Sequence, residues 1–139
     1  MLVKEIMTKN VVKIEEDKSV YDACIRYQDN KIGSLIITKK DICVGIVTER
    51  DIIERTICEK RDPSKTMVSE IMTKNPKSVH PLEKIENALE IMKLDNIKKL
   101  PVMKEKDIVG IITVTDISRA RPDLSKRFMD SWVRPIWKD

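Results

Sequence analysis

The chain has 139 residues, of which 41% are hydrophobic and 36% are charged, and its formal net charge is +4. This length suits one compact domain or two small halves that share a core. No apolar run approaches the roughly 20 residues that a membrane helix needs. The first residues also lack the apolar core of a signal peptide. We therefore expect a cytoplasmic protein with no membrane segment.

The three cysteines, Cys24, Cys43 and Cys58, form no C-x-x-C pair, and with the single His80 they offer no spacing typical of zinc ligands. We predict that all three are buried or half-buried apolar side chains. The sequence therefore predicts no metal site and no cofactor. Because positive and negative residues are interspersed along the chain, the net charge gives little support for nucleic-acid binding.

The predicted elements follow the same order in both halves of the chain. A short strand comes first, and a helix follows because apolar residues recur at positions i, i+3, i+4 and i+7. Two β-rich runs joined by a charged turn come next, and a second helix closes the half. The first strand, the two β-rich runs and the closing helix are expected at 11–14, 34–38, 44–48 and about 49–58 in the first half, and at 78–79, 100–103, 109–113 and about 114–120 in the second.

This order reflects an internal repeat. EIMTKN at 5–10 recurs at 70–75, and GIVTERDI at 45–52 recurs as GIITVTDI at 110–117. Because one β-α-β-β-α unit leaves a sheet face exposed, we predict an α/β (α+β) fold in which two units pack sheet to sheet about a pseudo-twofold axis.

The repeat also predicts the domain boundaries. We assign the first motif to residues 1–60 and the second to 61–121, with a turn-rich linker at 60–69. Residues 122–139 lie outside the repeat and form a tail in which Pro122 and Asp123 predict the start of a short helix.

The motif Thr48-x-x-Asp51, with its copy Thr113-x-x-Asp116, has two interpretations. In a capping box the Thr hydroxyl and the carboxylate three residues later satisfy free backbone N–H groups, which contributes about 1 kcal/mol. The same Thr and Asp recur after the same strand while the residues between them differ. This retention favours a second role in contacting a ligand.

The motifs resemble those of a cystathionine-β-synthase (CBS) domain pair, also called a Bateman module. IMTKN, DNKIGSLIIT and VGIVTERDI carry the resemblance in the first half, and DNIKKLPVM and VGIITVTDI carry it in the second, over about residues 1–120. Such modules bind AMP, ADP, ATP or S-adenosylmethionine in two clefts between the motifs. The resemblance implies that Asp51 and Asp116 accept the ribose hydroxyls, and that Thr48 and Thr113 help to hold ribose or phosphate.

The family pattern further implies that each cleft is completed by the other motif. The Asp51 cleft would then contain Arg50, Lys77, Ser78, Val79, Lys98 and Lys99. The Asp116 cleft would contain Thr115, Val11, Val12, Lys13, Gly33 and Ser34. Because the first set is cationic, we predict that a phosphorylated ligand prefers the Asp51 cleft. In the alternative interpretation, Lys98 and Lys99 are a solvated strand end and Arg50 points to solvent.

The sequence contains no Ser-His-Asp set and no Gly-rich phosphate loop, so we do not expect an enzyme. The resemblance implies a stand-alone regulatory sensor that responds to an adenosine ligand, signals to an unknown partner protein and forms a homodimer. Two alternatives remain open. In the first, the chain is a scaffold whose clefts stay empty. In the second, the basic and aromatic residues of the tail at 122–139 bind nucleic acid instead of packing on the module or a dimer partner.

Overall fold

The computed structural model describes residues 1–124 and 126, and their fold is mixed α/β, as predicted. The elements in chain order are α1 (Val3–Ile6), β1 (Lys13–Glu15), α2 (Val20–Asn30), β2 (Ser34–Lys39), β3 (Ile42–Thr48), α3 (Glu49–Ile52), a π-helical turn (Ile53–Ile57), α4 (Val68–Ile71), β4 (Thr73–Lys74), α5 (Ile85–Asp95), β5 (Lys99–Lys104), β6 (Asp107–Thr113) and α6 (Val114–Ala120). Within this part of the chain, every helix is too short or too polar to cross a lipid bilayer.

The observed bounds follow the sequence predictions closely, with four differences. The first strand begins at Lys13 rather than at Val11. Its copy is reduced to a single parallel bridge between Val79 and Val102. The closing helix of the first half changes from α to π geometry after Ile52. The short elements α1, α4 and β4 were not predicted, because each is only two to four residues long and carries too little periodicity to be recognised.

One compact unit, here called the repeat-1 unit, consists of residues 10–76 with the turn at 105–108. Its sheet has the order β1-β2-β3-β4, in which β1 runs parallel to β2 and the other pairs are antiparallel. Helix α2 contributes Val20 and Ala23 to the core beneath this sheet, and α4 adds Val68 and Ile71. The second copy of EIMTKN, at 70–75, therefore packs on the first repeat.

The repeat-2 unit consists of residues 1–9, 77–104 and the described residues from 109 onwards. Its β5–β6 hairpin is bridged on one side by Val79 and on the other by Thr8, which pairs antiparallel with Ile111. Val3 of α1 is completely buried in this core. Residues 5–9 of the first EIMTKN copy, which spans 5–10, thus pack on the second repeat. The packing units exchange these segments relative to the sequence repeats 1–60 and 61–121.

Two glycines explain how the exchanged segments fit. A Cβ atom on Gly45 would lie 2.5 Å from Met72 Sδ and 2.9 Å from the carbonyl oxygen of Thr73. A Cβ atom on Gly110 would lie 2.7 Å from Met7 Sδ and 2.9 Å from the carbonyl oxygen of Thr8. Because no side chain fits in either gap, the glycine of each GI(V/I)T strand admits the backbone of an EIMTKN segment.

The glutamate of EIMTKN caps the short helix that begins each exchanged segment. Glu70 Oε2 accepts a hydrogen bond from the backbone N–H of Met67 at 2.7 Å, and Oε1 accepts one from Arg61 Nη2 at 2.6 Å. These bonds, the backbone bond foremost, lower the pKa of Glu70. Glu5 accepts the backbone N–H of Leu2 in the same way. The repeated hexapeptide is therefore retained in part for a structural reason.

Two smaller predictions concern the cysteines and the tail. Cys24 and Cys43 are half-buried, and burial raises the pKa of both thiols. The prediction for Cys58 was wrong, because this side chain is exposed just after the π-helical turn. Residues 122–124 are helical, in agreement with the predicted start at Pro122, whereas residues 125 and 127–139 of the predicted tail lie outside the described residues.

Candidate functional site

The first Thr-x-x-Asp motif lies where β3 ends and α3 begins. The N–H of Asp51 donates to Thr48 Oγ1 at 3.3 Å, and the N–H of Thr48 donates to Asp51 Oδ2 at 2.9 Å. This is a complete capping box. The structural role predicted for Thr48 and Asp51 is therefore confirmed, and it uses one of the two carboxylate oxygens.

The second motif repeats this geometry between β6 and α6. The N–H of Asp116 donates to Thr113 Oγ1 at 3.1 Å, and the N–H of Thr113 donates to Asp116 Oδ2 at 2.9 Å. An ionised carboxylate offers about four lone-pair positions, so either Asp can accept further hydrogen bonds after capping. The chain thus holds two carboxylates in the same orientation relative to their strands.

The cations beside Asp51 differ from the sequence expectation. Arg50 points to solvent, with 83% of its side chain exposed, and its Nε donates to Glu54 Oε1 at 2.7 Å. Arg55 lies nearer to the carboxylate, with Nε 3.8 Å from Asp51 Oδ1. The side chain of Asp51 is only 15% exposed. The structure therefore places Arg55, rather than Arg50, beside the oxygen that capping leaves available.

The surroundings of Asp116 are different. The position equivalent to Arg55, 65 residues later, is Ala120. Within the part of the chain that the structure describes, Asp116 forms no ion pair. Thr115, the neighbour predicted to line this site, is exposed. Among the described residues, the second half thus presents a carboxylate with no arginine within ion-pair distance.

In the repeat-1 unit, the sheet gathers the predicted strand residues near Thr48. Ser34 is paired with Thr48 across β2 and β3 and is 8% exposed. The N–H of Ile36 donates to the carbonyl of Val12 at 3.1 Å, which places Val12 beside β2. Val11 and Gly33 are half-buried at the starts of the same two chain segments, and Lys13 opens β1.

The repeat-2 unit gathers the corresponding residues near Thr113. Val79 is buried, and two backbone hydrogen bonds join it to β5. Its N–H donates to the carbonyl of Pro101, and its carbonyl accepts the N–H of Met103. The carbonyl of Lys98 accepts the N–H of Val114 at 2.9 Å, so Lys98 lies at the start of α6. Lys99 opens β5, Ser78 is exposed, and Lys77 Nζ lies 3.9 Å from Asp95 Oδ2. The grouping of these residues with the Asp of the other motif stays a prediction.

Sequence reasoning missed Arg55 and Tyr27. Arg55 follows Asp51 by four residues, a spacing that brings an acid and a later base together on one helix face, and that signal was present in the sequence. The Tyr27 hydroxyl donates to the carbonyl of Val47 at 2.6 Å. Burial, and to a lesser extent the charges of Glu49 and Asp51, raise the pKa of Tyr27. Tyr27 therefore supports the end of β3 as a neutral donor.

Two β-α-β-β-α units, each with a Thr-x-x-Asp capping box at the start of its last helix, define a tandem-repeat module. Comparison with known proteins assigns this module to a family. The model of the CBS domain matches residues 3–57 and again residues 68–123. The chain belongs to the CBS domain family, and the resemblance drawn from its motifs is confirmed.

Three relatives show how far the similarity extends. The uncharacterized protein YlbB of Bacillus subtilis is 30% identical over 118 residues, which cover 84% of this chain and 79% of that protein. A hexameric CBS-CP12 protein from bloom-forming cyanobacteria has 32% identity and a TM-score of 0.79, with 97% of this chain and 76% of that chain covered. The CBS domain pair of protein MJ0100, solved with 5′-methylthioadenosine and S-adenosyl-L-methionine, has 30% identity and a TM-score of 0.77, with 86% and 94% covered.

Proposed function

We propose that this chain is a regulatory module that binds adenosine-containing ligands, such as AMP, ADP, ATP or S-adenosylmethionine, through Asp51 and Asp116. The observation that carries the proposal is the twofold occurrence of a carboxylate fixed through Oδ2 by the N–H of the preceding Thr. A fixed carboxylate can accept two hydrogen bonds from the vicinal hydroxyls of a ribose. In the related MJ0100 structure, both bound compounds contain adenosine.

The module would act by a shift between conformational states. A ligand changes the population of a state only when it binds that state more tightly than the other. Each Thr-x-x-Asp motif with its neighbouring residues is here called a half-site, and the two half-sites belong to different packing units. A ligand that stabilises one conformation of the chain would offer a distinct surface to a partner protein. In this proposal the chain is a sensor, and the partner carries out the regulated activity.

We also propose that the chain forms a homodimer through the π-helical turn. Ile53 and Ile57 are four residues apart and each is 56% exposed, which is unusual for large apolar side chains on one helix face. A second copy of the same turn would cover them by an isologous contact. The relative CBS-CP12 protein is itself hexameric. Light scattering of Ile53→Glu should show a monomer, and an unchanged mass would contradict this interface.

Calorimetric titration with AMP and with adenosine tests the ligand proposal. Asp51→Asn and Asp116→Asn keep the size of the side chain and weaken its acceptor strength, so each should lose affinity at its own half-site. Asp29→Asn, on the exposed face of α2, is the matched control and should bind like the wild type. The proposal also predicts that ligand at 100 times its Kd adds about 2.7 kcal/mol of stability. If none of the adenosine ligands bound or stabilised the protein, the scaffold alternative would stand instead.

A further inference from the structure

The two capping boxes match in geometry, but several positions beside them differ, and one of these changes the charge next to the carboxylate. Arg55 and Ala120 are equivalent in the repeat, four residues after Asp51 and Asp116 respectively. The local helix differs as well, because Arg55 lies within the π-helical turn Ile53–Ile57 whereas α6 keeps α geometry from Val114 to Ala120. π turns are frequent at functional sites. The change from Arg55 to Ala120 and the π-helical turn therefore distinguish two half-sites whose capping boxes have the same geometry.

Arg55 is held beside Asp51 from two directions. Its Nη1 donates to the carbonyl of Ile71 at 2.9 Å, and its Nε lies 3.8 Å from Asp51 Oδ1. Ile71 is the last residue of α4 and is 1% exposed, so its carbonyl is a fixed anchor. The Arg55 side chain is 48% exposed, and its guanidinium has five N–H donors, of which these two contacts use only some. Its charge therefore stays at Asp51 and remains accessible to a ligand.

The charge balance at the two carboxylates follows from this geometry. Asp51 is paired with Arg55, whereas Asp116 forms no ion pair with the described residues, including Arg119 three residues later on α6. The nearby Arg50 is paired chiefly with Glu54 at the surface, and its interaction with Asp51 is the weaker one. A neutral ribose must compete with Arg55 for Oδ1. An anionic group next to the ribose is repelled by a lone carboxylate but attracted once the arginine is present.

We infer that Arg55 is a specificity-determining residue which makes the Asp51 half-site favour 5′-phosphorylated adenosine over neutral adenosine, while the Asp116 half-site lacks this preference. The inference rests on the proposed function and names the ligand class of one of its two sites. Because Arg55 is about half exposed, solvent screening limits the effect to roughly two- to fivefold in affinity. The same screening makes the preference weaken as the salt concentration rises.

The test measures the ratio of the Kd for adenosine to the Kd for AMP by calorimetry. Asp116→Asn is present in every protein of the first series, so that the Asp51 half-site is read alone. Arg55→Gln removes the charge and should lower the ratio about two- to fivefold. Arg55→Lys keeps the charge and should largely retain the ratio and its salt dependence. A ratio unchanged in Arg55→Gln would overturn the inference, and so would an equal fall in both variants, which would show that only the packing of Arg55 matters.

The reciprocal variant tests the inference by adding an arginine at the position equivalent to Arg55 in the second half. Ala120→Arg in an Asp51→Asn background should raise the same ratio at the Asp116 half-site, and an unchanged ratio there would contradict the charge argument. Circular dichroism confirms that each variant is folded. If the wild type bound neither AMP nor adenosine, the proposed function itself would fall and the inference with it, an outcome distinct from binding with an unaltered ratio.

Discussion

Replacing Gly45 by alanine is expected to destabilise the repeat-1 unit by about 1–2 kcal/mol. The new Cβ atom would lie 2.5 Å from Met72 Sδ and 2.9 Å from the carbonyl oxygen of Thr73. The sulfur ends a flexible side chain and can move, but the carbonyl is fixed because Thr73 pairs with Ile46 in the ladder between β3 and β4. Overpacking of this kind costs about 1–3 kcal/mol, and the lower chain entropy of alanine offsets about 0.5–1 kcal/mol of it.

Thermal denaturation should show this loss as a fall in Tm of about 3–10 °C for a chain of this size. Hydrogen exchange should show faster exchange at Thr73 and Lys74. The double variant Gly45→Ala with Met72→Ala removes the contact with sulfur but not the contact with the carbonyl. It should therefore be less stable than Met72→Ala alone. A Gly45→Ala protein with the Tm and exchange rates of the wild type would refute the close-approach argument.

Three further predictions concern the hydrogen bonds of individual side chains. Thr113→Val removes the cap of α6 and should cost about 1 kcal/mol in urea denaturation, and a cost near zero would contradict the capping role. Tyr27→Phe removes the donor to Val47 and should also cost about 1 kcal/mol, whereas an equally stable variant would show that this bond contributes nothing. Glu70 has a pKa below its ordinary value of 4.5, so its stabilising effect exists above that pH and disappears as the pH falls through the lowered pKa. Glu70→Gln should therefore be less stable than the wild type at neutral pH and approach it on acidification, and a difference independent of pH would contradict the linkage.

Much of the fold was predictable because the repeat doubles every signal. The bounds of α6, Val114–Ala120, agree with those predicted, since an apolar strand, a capping box and a helical pattern all indicate the same boundary. The closing helix of the first half begins with the same motif but turns π at Ile53. Because π turns are rare and occur mostly as single-turn bulges inside α-helices, the sequence pattern predicted a plain α-helix here.

The exchange of the EIMTKN segments was not predictable from local patterns. The hexapeptide was recognised as a repeat, but its partner strand lies in the other repeat and is reached only through tertiary packing. In retrospect Gly45 and Gly110 carried the signal, because a glycine inside a strand often marks a close backbone approach. The sequence did not show which backbone approaches.

For the candidate site, the sequence predicted the two Asp residues and their caps but missed Arg55, the cation that lies beside Asp51. Arg50 precedes Asp51 directly, yet adjacent helix residues point about 100° apart, and Arg50 lies on the solvent side with Glu54. Arg55, one turn later, shares the face of Asp51. Helix geometry, rather than closeness in sequence, decides which charge a carboxylate meets.

A crystal structure of the chain grown with AMP tests most directly whether Asp51 and Asp116 bind ribose. We expect the ribose hydroxyls to lie within hydrogen-bonding distance, about 2.5–3.0 Å, of the carboxylate of Asp51 or Asp116, while Thr48 or Thr113 still caps its helix. AMP bound elsewhere on the surface, with both carboxylates free of ribose contacts, would contradict the account.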